Sequence, residues 1–85
     1  MRGLGFMERM ATKADLMERM MRKLDVREAI SDMPAAPSVL RNAALRCMTC
    51  GHTGECRSWL DENQAPAHAP TYCRNKDLFA FAAEN

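Results

Sequence analysis

Four cysteines fall within residues 47–73 of an 85-residue chain, spaced Cys47-x2-Cys50-x5-Cys56-x16-Cys73. A chain this short barely supports a core of its own and commonly needs a staple: a metal, a disulfide or a partner subunit. The length admits a single domain over residues 1–85 and nothing further. Whatever the fold, its C-terminal half must be organised around those thiols.

In a Cys-x2-Cys pair the two thiolates can converge on one centre while the intervening backbone donates N–H groups to sulfur. Gly51 follows the pair, as expected where the chain turns closely around a ligand. Four thiolates satisfy either a tetrahedral zinc ion or a four-iron cluster. Zinc ribbons and fingers usually supply two such pairs on hairpins, whereas here Cys56 and Cys73 lie beside helical sequence. The expected metal ligands are therefore Cys47, Cys50, Cys56 and Cys73, holding an iron–sulfur cluster, with four-iron favoured and zinc as the alternative. Disulfides and buried, unliganded thiols remain open on the residues alone. His52, next to Cys50-Gly51, is the possible substitute ligand in a three-cysteine, one-histidine site; His68 reads as an exposed loop residue.

The remaining chemistry is thin. A cysteine–histidine nucleophile needs a lowered thiol pKa, an orienting acid and a substrate pocket. No acid/base constellation and no phosphate loop accompany the cysteines, so an enzyme is not expected. Formal net charge is +1, and residues 1–33 carry seven of the twelve Lys/Arg and six of the eleven Asp/Glu. Neither half is basic enough for a phosphate-binding surface, which argues against nucleic acid. No apolar run approaches a membrane span, and the charged N-terminus lacks the stretch of a secretory signal. A reducing cytoplasm, where disulfides seldom persist, is the expected location.

Periodicity predicts an all-α fold, a small bundle of about four helices. Leu16, Met17, Met20, Met21 and Leu24 recur at helical spacing, opposite Asp15, Glu18, Arg19, Arg22 and Lys23. Thr12 or Asp15 is a candidate cap, with a possible extension back toward Phe6, although Arg9 and Lys13 intrude on the apolar side. Six of the eight methionines (Met1, Met7, Met10, Met17, Met20 and Met21) precede residue 22. Such a face suits a protein partner or self-association through Met17, Met20, Met21 and Leu24, or else the chain's own core. Residues 25–32 read as a short helix or turn with Val26 and Ile30 packing inward. Met33-Pro-Ala-Ala-Pro37 is a breaker, and Ser38 is the expected cap of a helix through about Cys47. Thr53 or Glu55 opens another helix, carrying Cys56, Trp59 and Leu60 on one face. Residues 63–71 form a loop, and Asn75 caps a last helix in which Leu78, Phe79 and Ala82 pack. Trp59 is expected to be buried, and Arg46 and Arg57 flank the first and third cysteines, where they would offset a negative centre.

Two resemblances follow from these residues. The Cys-x2-Cys-x5-Cys portion is similar in spacing to part of the cluster loop of helical DNA glycosylases of the endonuclease III type. The enzyme's lysine–aspartate context is absent, so the likeness implies only that these intervals suit a cluster among helices. Arg46-Cys47-x2-Cys50, Cys56-x2-Trp59-Leu60 and Pro70-x2-Cys73-x-Asn75 together resemble an uncharacterised bacterial family of short proteins, a domain of unknown function. The likeness covers most of the chain, including the Met/Arg amphipathic helix. It implies no activity, but it implies that the four cysteines and Trp59 form one unit.

Overall fold

The chain's apolar residues recur at helical rather than strand spacing, and the computed structural model, which describes residues 5–84, is built of helices throughout. They are α1 (Phe6–Lys23), α2 (Arg27–Ser31), α3 (Ala36–Met48), α4 (Thr53–Glu62) and α5 (Lys76–Ala83). No strand occurs among the described residues. Met1, and residues 1–4 and 85 of the expected domain, lie outside them. No described helix is long and apolar enough to cross a membrane.

α1 runs the full length that its periodicity allowed, back to Phe6. Neither Thr12 nor Asp15 caps it, since both lie inside the helix. Gly5 occupies the cap position, and its N–H donates to the Glu8 carboxylate at 3.0 Å. The other end is closed by a Schellman motif. Val26 N–H donates to the Met21 carbonyl at 3.0 Å and Asp25 N–H to the Arg22 carbonyl at 3.1 Å. Asp25 takes the left-handed conformation (φ 60°) that this motif demands, so the chain reverses without glycine. The turn delivers Val26 and Ile30 to the core, where they are 1% and 0% exposed.

That core joins Leu16, Met20 and Met21 of α1 to Val26, Ile30, Leu60 of α4, and Phe79 and Ala82 of α5. Met17, Leu24 and Trp59 pack against it, each half-buried. Met20 and Met21, expected as candidates for a partner face, are 2% and 1% exposed within the chain's own core. The methionine stripe is therefore internal. Burying it on α3 and α4 stabilises this chain more than leaving a wide apolar face in water would allow.

α3 starts two residues before the expected Ser38 cap. Ala35 is the cap residue, also left-handed (φ 60°), and Pro37 sits inside the first turn, where its missing N–H costs nothing. α4 opens at Thr53 after His52, and α5 opens after Asn75, as expected. The Asn75 side chain, however, makes no cap bond. It is buried at 3% exposure and turned inward across the fold.

Candidate metal centre

The four cysteines come from different local settings. Cys47 lies in the last turn of α3 and Cys50 in the link after it. Cys56 lies in the first half of α4, and Cys73 in the turn before α5. The fold brings all four to the wall of one pocket, together with His52 and Tyr72. Its interior measures about 40 Å³, more than the roughly 10–15 Å³ that a single water needs. Leu16, Met17, Met20 and Phe79 make the apolar side of that wall. All four thiols are free and half-buried.

Hydrogen bonds hold this arrangement from behind. Lys13 Nζ donates to the Cys50 carbonyl at 2.8 Å, while the Cys47 thiol donates to the Lys13 carbonyl at 3.5 Å. A lysine that looked misplaced on the apolar side of α1 thus ties that helix to both members of the Cys-x2-Cys pair. Cys50 N–H donates to the Cys47 carbonyl at 3.1 Å, closing the turn between them. Cys73 N–H donates to the Pro70 carbonyl at 3.0 Å, fixing the fourth cysteine in its own turn.

Asn75 is the polar hub. Its Nδ2 donates to the Ala43 carbonyl at 2.9 Å, and its Oδ1 accepts from Arg46 at 3.2 Å. Its backbone N–H donates to the Cys73 sulfur and thereby favours the thiolate there. The Cys-x-Asn spacing therefore has a physical reason: one residue satisfies sulfur with its backbone and anchors the loop on α3 with its side chain.

The electrostatics are those of a crowded anion site. Burial pushes the Cys56 thiol up to about 11, and the charges of Cys73, Cys47 and Cys50 add to the rise. Cys47 is raised by burial and then by Cys50, with Lys13 pulling the other way. Cys73 is raised by burial, against the Asn75 backbone bond. The countervailing cations are Lys13 on Cys47, Arg19 on Cys56 and Lys76 on Cys73. Arg46 instead donates to Asn75, and Arg57 is exposed. Raised thiols are poor nucleophiles at neutral pH. Thiolates that repel one another are brought to rest by a cation.

Among the described residues, no group of three or more His, Cys, Asp or Glu stands as a ready site for a metal ion. His52, the possible substitute ligand, is exposed; its Nδ1 pairs with the Glu55 carboxylate and its ring stacks on Tyr72 with centroids 4.7 Å apart. Trp59 packs against the core cluster beside Cys56 rather than lining the pocket.

Tyr72 is the residue that spacing did not flag. Its hydroxyl is buried and has no hydrogen-bond partner among the described residues, an arrangement that costs about 1–3 kcal/mol. Its neighbour Cys73 was the only available signal, and adjacency alone says nothing about where a ring points.

No curated protein and no solved structure matches the chain. A family match covers residues 4–85, nearly the whole sequence and all four cysteines. The chain belongs to this family, the family of unknown function DUF6455.

Proposed function

We propose that this protein is a small metal-binding protein whose four cysteines hold an iron–sulfur cluster, serving electron transfer, redox sensing or cluster handling in a reducing cytoplasm. The observation that carries the reading is the meeting of Cys47, Cys50, Cys56 and Cys73 on one pocket wall, where burial and neighbouring charge oppose the ionisation of Cys47, Cys56 and Cys73. Such a set gains most from a cation, because binding replaces repulsion with bonds.

Cluster rather than single ion is supported by the spacing: a single Cys-x2-Cys pair is present, and Cys56 and Cys73 lie in and beside helices rather than on a second hairpin pair. Tetrahedral zinc draws four sulfurs to about 2.3 Å from one point, whereas in a four-iron cluster each thiolate binds a different corner. Apolar side chains on the same wall would limit water, which tunes the potential and slows oxidation. Electron transfer or sensing requires a partner, and it would meet the chain elsewhere than at the buried Met20 and Met21.

The second reading is a zinc-stapled structural module without a redox role. It is favoured by the stretch between α4 and α5, which has no helix of its own and carries Cys73. A staple there would stabilise the loop whatever the metal. Protein purified without oxygen decides between them. A cluster gives broad visible absorption that bleaches with dithionite, while zinc is colourless and redox-silent. Colourless protein holding one zinc per chain would replace the first reading with the second.

A further inference from the structure

The Tyr72 hydroxyl is shielded from solvent and has no hydrogen-bond partner among the described residues, yet Tyr72 belongs to the wall shared with the four thiols. Its ring has a neighbour on one face. It stacks on His52 at 4.7 Å with planes 30° apart, and His52 is itself paired with Glu55.

A neutral thiol is a weak acceptor, so the protonated pocket offers this hydroxyl little. Metal-bound thiolate or sulfide is a much better acceptor, because the sulfur keeps negative charge. Ligation would therefore create the partner that the hydroxyl lacks. Building on the cluster reading above, we propose that Tyr72 is a positioning and tuning residue, donating an O–H···S hydrogen bond to the bound centre. A donor at this place offsets the negative charge that reduction adds, and so raises the reduction potential. The stack on His52 sets the ring beside the wall that carries the thiols.

Tyr72→Phe tests this in the full chain, reconstituted anaerobically with iron and sulfide. Phenylalanine keeps the ring and its stack and removes only the donor. The expected result is unchanged helicity and iron content with a lower potential. The shift should be of the order of a tenfold change in the reduction equilibrium, about 59 mV for one electron. Resonance Raman supplies a second readout: an iron–sulfur stretch that moves in D2O for the parent chain and stands still in the variant. A loaded variant with the parent's potential and the parent's deuterium shift overturns the role of Tyr72 and leaves the cluster reading intact. A parent chain that takes up no iron overturns both.

Discussion

The side-chain amide of Asn75 donates a 2.9 Å hydrogen bond to the carbonyl oxygen of Ala43, 32 residues upstream. Ala43 itself is fully buried at 0% exposure, so the bond is made away from water. It fastens the turn carrying Cys73 to the helix carrying Cys47, and the two thiols face one pocket as a result. Replacing Asn75 with alanine removes this bond and the one from Arg46, and should cost about 1–3 kcal/mol in chemical denaturation. Asn75→Ala should also weaken metal retention, because Cys73 loses its anchor. An Asn75→Ala chain as stable as the parent would show that the loop is held by other means.

The internal methionine stripe makes a separate prediction. Met20→Lys puts an unpaired charge into the core and should unfold the monomer rather than dissociate an oligomer. Leu60, 0% exposed, gives the milder control: Leu60→Ala should cost about 2–5 kcal/mol. Met7, 76% exposed, gives the opposite one, since Met7→Lys leaves the core untouched. Sedimentation and denaturant melts together separate the outcomes. A folded Met20→Lys chain of reduced mass would reinstate the stripe as an interface.

Two residues are held left-handed without being glycine, Asp25 and Ala35, each with φ 60°. Glycine removes the Cβ penalty at such a position, which is about 1–2 kcal/mol in the left-handed region. Part of that gain is returned as extra freedom in the unfolded chain. Ala35→Gly should therefore raise stability by about 0.5–1 kcal/mol, and Asp25→Gly by less, since aspartate tolerates this conformation better. A destabilised Ala35→Gly would mean that the turn is not left-handed.

The thiols set a pH dependence with a definite sign. Cys56 titrates near 9.0 when unfolded and is pushed up to about 11 in the fold, so the folded chain keeps its proton where the unfolded chain has lost it. The metal-free protein is therefore fully favoured below pH 9.0 and should lose stability as pH rises toward about 11. Metal uptake runs the other way. Ligation expels thiol protons, so apparent affinity should climb with pH through the neutral range and into the alkaline one. Stability melts at graded pH with a chelator present, set beside metal titrations, should show these opposite slopes. An affinity that stays flat with pH would mean that cysteine is not the ligand.

The fold was legible where the signal was local and periodic. Leu16, Met20, Met21 and Leu24 announce α1, and Val26 and Ile30 announce the inward face of the next turn. Pro37 misled, because a proline that breaks a helix interior is welcome in a first turn, and Ser38 looked like the cap only if Pro37 lay outside. The inner site was less legible. Crowded cysteines could be read from spacing, but Lys13 to Cys50, Asn75 to Ala43 and the buried Tyr72 hydroxyl depend on contacts 32 or more residues apart or on ring placement. Asn75 was legible as a residue before a helix and illegible as a hub, since only packing turns its amide away from the cap.

The most direct measurement is iron and acid-labile sulfide per chain after anaerobic reconstitution, with Cys47→Ser, Cys50→Ser, Cys56→Ser and Cys73→Ser measured alongside the parent. The account predicts about four irons and four sulfides in the parent and a marked loss in each variant, because all four thiols line one pocket. A parent chain that takes up no iron, or one whose loading ignores the loss of Cys73, would contradict it.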